Sequence, residues 1–371
     1  MKVADSDNTS IRPTIEATSC RFVMPAVFTV EQAVTFKQSF QEVCQTNPNL
    51  TEVILNFHIT YFMDSSGLGA LVSANKLARQ RNIKLILQNI SEQVLMVLTL
   101  ADLHHLFIIE NNAASKHDAD IEPVDQEEGE LTIAATATPQ TSPAIANGLV
   151  KSQNKRSKLK SAAPQPFITH PSVRSVPKRV IDVVGSIVGL GIVGVLFVPI
   201  AVAIKLDSPG PIFFGQIRCS RMGRRFKMWK FRSMVQDAED QKHLIENEAS
   251  GAIFKSASDP RITKVGKFLR KTSLDEIPQF WNVLRGEMSL VGTRPPTPDE
   301  VEIYEIPQWQ RLDVKPGMTG EWQVNGRSSI KEFEDIVRLD LKYQENWSLT
   351  YDLQLIIKTI LVLFNKKSGA M

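Results

Sequence analysis

Cysteine is scarce in this 371-residue chain: Cys20, Cys44 and Cys219 show no paired spacing and no CxxC. That excludes a disulfide framework, and free thiols fit a reducing compartment, which points to the cytosol. The six histidines, His58, His104, His105, His117, His170 and His243, form no ligand spacing, and none is assigned a role. The opening MKVADSDNTS has no apolar h-region, so no cleavable signal peptide is read there. No DNA-reading helix is apparent, so no nucleic acid partner is expected. Long apolar runs are absent with one exception, residues 183–204, VVGSIVGLGIVGVLFVPIAVAI, which is about as long as the ~20 residues that cross a hydrocarbon core. What the chain does have is length for two or three domains and a split charge. Residues 1–150 carry 9 Lys and Arg against 17 Asp and Glu, net −8, and residues 151–371 carry 34 against 23, net +11. A basic half beside a membrane segment points to anionic membrane lipids or phosphates.

Residues 19–110 alternate between two kinds of segment. CRFVMPA, EVILNF, IKLILQ and HLFII read as short strands, and VEQAVTFKQSFQEVCQ, SGLGALVSANKLARQRN and SEQVLMVLTLAD have apolar residues at helical spacing. The rhythm predicts a small α/β domain with helices on one face of a sheet. Within it, Asp-Ser-Ser-Gly at 64–67 follows a strand and opens a helix, where backbone N–H groups and the dipole favour an anion. The plainer reading is that Asp64 or Ser65 is the N-cap. The whole run, strand, DSSGLG, helix, Lys-Leu-Ile-Leu strand and a helix ending Ala-Asp-Leu, resembles the STAS family, the sulphate transporter and anti-sigma factor antagonist domain, over residues 15–112. The resemblance implies a regulatory module with a protein partner. It also makes Ser65 a candidate phosphorylation site, where phosphate would add roughly −1.5 to −2 charge at a contact surface.

Across 113–173 no apolar period persists: an acidic DADIEPVDQEEGE, a small polar TIAATATPQTSPAIANG and a basic KSQNKRSKLKSAAPQP make a disordered, flexible linker. The cations of 151–160 suit anionic headgroups, each worth ~1 kcal/mol near the surface. Basic residues then crowd both ends of the apolar stretch, Lys178 and Arg179 before it and Lys205, Arg218, Arg221, Arg224, Arg225, Lys227, Lys230 and Arg232 after it. A spanning helix collects them on its cytoplasmic side alone. Pro199 lacks a backbone donor and kinks or breaks a helix. A re-entrant membrane helix over 180–204, bent at Pro199 and returning to the same face, is therefore expected in preference to a kinked single pass. The later LTYDLQLIIKTILVLFNKK is apolar but interrupted by Asp352 and Lys358. It reads as an amphipathic interfacial helix with Lys366 and Lys367 at the headgroups, a core helix being the alternative.

The densest chemical signal is GKFLRKTSLDEIPQFWNVLRGEMSLVGTRPPTPDE. Ser273 and Glu276 satisfy the S-x-x-E capping box, a complete structural account of Glu276. Pro278 biases its predecessor away from the helical region and allows a later start. Either way, Asp275 and Glu276 are adjacent carboxylates near a helix N-terminus, with Arg270, Lys271 and Arg294 close in sequence. Such a set suits phosphate chemistry: Asp as nucleophile, its neighbour handling protons, Mg2+ neutralising phosphate charge. GTRPPTPDE reads as a rigid proline turn presenting Arg294 for a bidentate grip on phosphate or carboxylate. VKPGMTGEWQVNGR reads as a Gly-rich loop whose Lys315, Gln323, Asn325 and Arg327 suit phosphates and a nucleobase or sugar.

KRVIDVVGS, the apolar stretch, DSPGPIFFGQIRCSRMGRRFKMWKFRSM, TSLDEIPQFWNVLRGEMSLVGTRP and KPGMTGEWQVNGR, in this order over 174–367, closely resemble the bacterial sugar transferases, the monotopic phosphoglycosyl transferases. The resemblance implies a mostly helical catalytic domain at 174–371 with a re-entrant helix, on the cytosolic face of the bacterial inner membrane. It implies transfer of a sugar-1-phosphate from a UDP-sugar to polyprenyl (undecaprenyl) phosphate with release of UMP, at the start of exopolysaccharide or glycoconjugate synthesis. Asp275 would be the nucleophile of a phospho-aspartyl intermediate with Mg2+ nearby, and Glu276 the acid/base partner. Lys230, Arg270 and Arg294 would bind substrate, and residues 315–327 would close the nucleotide pocket. Three positions depart from the family pattern: Val198 replaces a frequent Ser before Pro199, Thr293 replaces Pro in G-P-R-P, and Glu321 stands where an apolar residue is expected. The competing readings are a catalytically silent membrane-anchored adaptor, against which Asp275, Glu276 and both arginines speak, and a membrane-tethered nucleic-acid binder. No residue specifies the sugar, the STAS partner or a homo-oligomer.

Overall fold

The computed structural model describes residues 11, 13–110, 169–254, 256, 259–326, 330 and 332–364. Arg327, His117, Lys366, Lys367, the basic run 151–160 and the linker over 113–168 lie outside the described residues.

The amino-terminal region is an α/β layer built from β1 (Pro13–Glu16), β2 (Ser19–Val23), β3 (Val27–Phe28), α1 (Val30–Thr46), β4 (Glu52–Asn56), β5 (Phe62–Met63), α2 (Ser65–Gln80), β6 (Lys84–Gln88), α3 (Glu92–Leu100) and β7 (Ile108–Glu110). The main sheet has the order β1-β2-β4-β6-β7, with β1 antiparallel and the others parallel. Parallel neighbours need crossovers, and α1, α2 and α3 supply them. Alternation along β2 turns Cys20 and Phe22 inward, beside Val53, Leu55, Leu85 and Leu87 of the next two strands, onto Phe36 and Phe40 of α1 and Leu71 of α2. Ile15, Val23 and Ile108 on the other side are exposed, so the helices cover one face, as the sequence predicts. The short β3 and β5 pair separately; two residues each are too few for a periodic signal. All three cysteines are buried and free, and burial pushes the thiols of Cys20 and Cys219 up to about 11, which leaves them unreactive.

The carboxy-terminal region opens with α4 (Pro171–Arg174) and α5 (Val176–Asp207). A helical turn at Pro171–Arg174, capped by His170, shows that the linker expected to run to 173 gives way to order before that point. Then come the antiparallel hairpin β8 (Phe213–Cys219) and β9 (Arg225–Phe231), α6 (Lys264–Lys271), a 3-10 segment (Leu274–Gln279), α7 (Phe280–Arg285), β10 (Ser289–Val291), α8 (Pro298–Glu302) and a second 3-10 segment (Ile306–Asp313). β11 (Gly317–Thr319), α9 (Glu321–Gly326), α10 (Phe333–Glu345) and α11 (Leu349–Phe364) complete it. The stretch read as a Gly-rich loop is thus not a loop throughout: Gly317–Thr319 pairs in parallel with β10, and Glu321–Gly326 is helical. Glu321 is at home there because Lys342 Nζ lies 2.7 Å from its Oε1.

α5 is unbroken from Val176 to Asp207, with Pro199 inside it. The residues around Pro199 stay helical, with no turn between the two parts of the segment. At 1.5 Å per residue it is about 48 Å long, against a hydrocarbon core of about 30 Å. Both ends are tied to the same compact unit. Lys178 Nζ reaches Asp352 Oδ2 at 2.7 Å and Val291 O at 2.9 Å, and Asp182 Oδ1 accepts from Ser289 Oγ and Leu290 N. At the far end, Asp207 Oδ2 accepts from Val265 N at 2.9 Å, and Ile200 and Ile204 pack with Phe231 and Leu269. Gly189 is needed for this packing, since a Cβ there would sit 2.4 Å from the Phe280 ring. The opposite stripe, Val184, Ile187, Val195, Val198, Val202 and Leu206, is exposed. On α11, Asp352 is buried at the Lys178 end while Leu353, Ile357, Ile360 and Leu361 are exposed. Asp352 therefore does not interrupt an outer face; it is an internal tie.

The two regions share one apolar cluster. Trp309, Ile306 and Leu312 of the second 3-10 segment join Leu68, Leu71 and Phe36 of the α/β layer.

Candidate active site

The turn carrying Asp275 and Glu276 is made by a reversal of the chain. α6 ends at Lys271, Ser273 takes the left-handed conformation (φ 55°), and the 3-10 segment starts at Leu274. Ser273 makes no side-chain cap bond, so the capping box does not form, and the regular helix waits until Phe280, past Pro278. Glu276 is used elsewhere: its Oε1 meets Lys230 Nζ of β9 at 2.9 Å. Leu274 and Ile277 pack against the cluster of Ile200, Ile204 and Phe231, which fixes the turn between α5 and the hairpin.

Asp275 is buried, 5 % exposed. Arg270 donates from Nε to Ser233 Oγ at 2.9 Å. Burial pulls its guanidinium below the usual value, while Asp275, Asp259 and Glu276 oppose that shift. Asp275, Glu276, Lys230 and Arg270 therefore form one group of two carboxylates and two cations. Asp275 and Glu276 supply the hard oxygen donors that Mg2+ prefers, one or two carboxylates with water and phosphate completing the shell, so the donor set fits that ion.

Arg294 is placed differently from the sequence expectation. Its Nη1 and Nη2 donate to Glu300 Oε2 and Oε1 at 2.7 and 3.0 Å, a bidentate pair in which the fork already grips a carboxylate of its own chain. Glu300 is also the fourth residue of a true capping box with Thr297 at the start of α8. Arg218 lies alongside, 4.0 Å from Glu300 Oε1 and donating to Pro295 O at 2.9 Å. Burial and the neighbouring Arg294 push the Arg218 guanidinium down to about 10, with Glu300 and Glu276 countering. Arg218 thus sits within electrostatic reach of both the Arg294 pair and Glu276. Sequence reasoning counted it only as a basic flank, and missed Glu300 although Thr-Pro-Asp-Glu spells S/T-x-x-E. Beneath them Arg311, wholly buried, is held by Asp340 at 2.6 Å and the Tyr304 hydroxyl, and Thr293 Oγ1 donates to Arg311 O.

Asn325 Nδ2 donates to Glu321 O at 3.0 Å, capping its own helix turn. Gln323 Oε1 is buried with no hydrogen-bond partner among the described residues. Lys315 is not brought to the Asp275 turn; it lines a cavity at the start of α5 with Arg179 and Asp182.

Ser65 is wholly buried. Asp64 is the N-cap of α2, accepting from Gly67 N at 2.9 Å, as the plainer reading expected. Ser65 Oγ donates to Trp309 O at 2.6 Å and its N–H to Asp313 Oδ1 at 3.0 Å. The motif surface is therefore covered by this chain's own second region, and a Cβ on Gly69 would lie 2.6 Å from the Trp309 ring. Burial and the facing Asp313 push the Asp64 carboxyl up to about 7. Lys37 and Glu305 add a rim pair at 2.7 Å.

The residues thus combine a helix long and apolar enough to cross a membrane, an acidic turn braced by cations and an α/β layer. The chain belongs to the bacterial sugar transferase family, whose pattern matches residues 173–366, and residues 16–118 match the STAS domain. It is 50% identical over 190 residues to the galactosyl transferase CpsE of Streptococcus agalactiae, covering 51% of this chain and 42% of that protein. It is 42% identical over 199 residues to the undecaprenyl-phosphate galactose phosphotransferase of Salmonella typhimurium, covering 52% and 41%. With the exopolysaccharide production protein ExoY of Rhizobium meliloti it shares 39% over 194 residues, 51% of this chain and 85% of that one. The chain thus spans less than half the length of the first two relatives.

Proposed function

We propose that the protein transfers a sugar-1-phosphate from a UDP-sugar to polyprenyl phosphate, as an initiating step of exopolysaccharide or glycoconjugate synthesis. The observation that carries the reading is the buried Asp275 in a 3-10 turn beside the Glu276–Lys230 pair and Arg270. Relatives named as undecaprenyl-phosphate galactose and glucose transferases support the substrate class.

In the proposed reaction a carboxylate oxygen of Asp275 bonds to the phosphorus that carries the sugar. The bond to the bridging oxygen breaks, and UMP leaves with that oxygen and the electron pair. An oxygen of polyprenyl phosphate then attacks the same phosphorus and displaces Asp275, which is regenerated as a carboxylate. Two anions must approach each other in both steps, and Lys230 and Arg270 offset that repulsion. Glu276, held on Lys230, is placed to take the proton of an incoming monoprotonated lipid phosphate. Mg2+ bound through Asp275 would neutralise diphosphate charge. Arg218 extends the cationic wall, and Arg294 holds that wall in place through Glu300. The exposed stripes of α5 and α11 seat the turn at the lipid surface, with both ends of α5 on the cytosolic face of the cytoplasmic membrane.

Purified protein in a membrane mimetic, screened against UDP-glucose, UDP-galactose and N-acetylated UDP-sugars, is expected to release UMP repeatedly with polyprenyl phosphate present and no more than about one equivalent per protein without it. Asp275→Asn should lower the rate by at least ~10⁴-fold, the size of losing a covalent nucleophile. UMP release that survives Asp275→Asn would overturn Asp275 as the nucleophile, and none from any donor would favour the catalytically silent adaptor.

A further inference from the structure

At the amino-terminal end of α5 lies a cavity of about 240 Å³ whose wall carries Lys178, Arg179, Asp182 and Lys315, with Ser175 and Tyr343. It lies apart from the Asp275 turn, which packs in the cluster of Val193, Phe197, Ile200 and Ile204: from Asp182 to Val193 the helix rises roughly 16 Å.

The charges in this wall do not balance. Lys178 is neutralised by Asp352 at 2.7 Å. Asp182 Oδ1 accepts from Ser289 Oγ at 2.9 Å and Leu290 N at 2.8 Å, and its single charge offsets only one of the two cations that remain, Arg179 and Lys315. Arg179 donates Nη1 to Val283 O and Nη2 to Leu284 O, each at 2.7 Å, which fixes the guanidinium without giving it a carboxylate. Lys315 Nζ has neither hydrogen bond nor ion pair among the described residues. A Cβ on Gly286 would lie 3.5 Å from both Arg179 Nη2 and Lys315 Nζ, so the two cations share one patch of wall. Like charges held together in a part-buried site repel, and an anion between them removes the repulsion. Burial and Arg179 lower the proton affinity of Lys315, Asp182 opposes, and Arg221 and Lys178 add to the lowering. The space exceeds a single water, which takes about 30 Å³ of liquid, several times over.

We propose that this cavity binds a phosphate group between Lys315 and Arg179, at a site separate from Asp275 and Glu276. A lipid headgroup phosphate at the start of the apolar helix and a free phosphate present the same chemistry to it.

Amine-reactive footprinting of the full chain, read by mass spectrometry, tests the site directly, with exposed Lys84 as reference. The probes are inorganic phosphate, dihexanoyl phosphatidic acid and dihexanoylglycerol. Labelling of Lys315 is expected to fall at least 5-fold with a phosphate-bearing probe and to be unchanged by dihexanoylglycerol. Protection by both phosphates identifies the phosphate alone as the determinant, and protection by phosphatidic acid only assigns a headgroup. Asp275→Asn should retain the protection, and Lys315→Gln should weaken the protecting probe at least 10-fold in calorimetric titration. Loss of protection in Asp275→Asn, equal affinity in Lys315→Gln, or labelling indifferent to both phosphates overturns the site. UMP release is not part of this readout, so a failure here leaves the reaction assignment untouched, and the reverse holds.

Discussion

Arg294 illustrates how one side chain can be legible in type and misplaced in role. Its proline-rich turn predicts a presented guanidinium, and the structure supplies the carboxylate, Glu300, from six residues further on. Removing one member of a buried pair leaves an uncompensated charge, so Arg294→Ala is expected to destabilise the protein by roughly 3–5 kcal/mol in denaturant unfolding. Replacing both partners by apolar residues should recover most of that loss, whereas a raised KM with unchanged stability would return Arg294 to substrate binding. Asp64 makes a second prediction. Its carboxyl is raised in the folded chain, through burial first and the facing Asp313 second, against backbone N–H donors of Gly67, Ser66 and Val30. A raised carboxyl contributes fully below the ordinary carboxylate range, and its contribution is lost as pH rises through about 7. Hydrogen-exchange protection at residues 65–72 and 306–313 should therefore fall between about pH 4 and 7, and Asp64→Asn should flatten the profile.

Elements of regular period were legible and their long-range partners were not. The strands and helices of the amino-terminal layer follow alternation and 3.6 spacing, so β2, β4, β6 and α1 to α3 stand where the pattern puts them. The hairpin of β8 and β9 read as a basic flank, because Arg and Lys alternate with Phe226, Met228 and Phe231, and charge drew attention from the inward residues. Pro199 removes one backbone donor, yet the residues around it stay helical, and ties at both ends of α5 hold it to one unit. Those ties make a topological prediction. Cysteines placed at the exposed Val176 and Leu206 should both resist a membrane-impermeant maleimide added from the periplasm. The native thiols are buried and give little background. Modification of either introduced cysteine would make α5 a spanning helix.

At the scale of the whole molecule, a chain that reads as two modules and a linker folds with a common core. Nothing local to DSSG announces Trp309 and Asp313, because pairing across 244 and 248 residues leaves no trace in a short window. Deleting residues 1–110 should uncover Ile306, Trp309 and Leu312 and lower stability by roughly 3–5 kcal/mol, the size of a large core truncation, seen as a lower melting temperature. Gly69→Val, which drives a side chain into the Trp309 ring, should act in the same direction within the full chain. The ties of α5 also set a clock on synthesis. Lys178 waits for Val291, 113 residues later, and for Asp352, 174 residues later. At about 5–20 residues per second that is an interval of about 10–35 s during which the ribosome has delivered the apolar helix but not the groups that neutralise its entrance. The helix is thus made well before the groups that tie it to its domain.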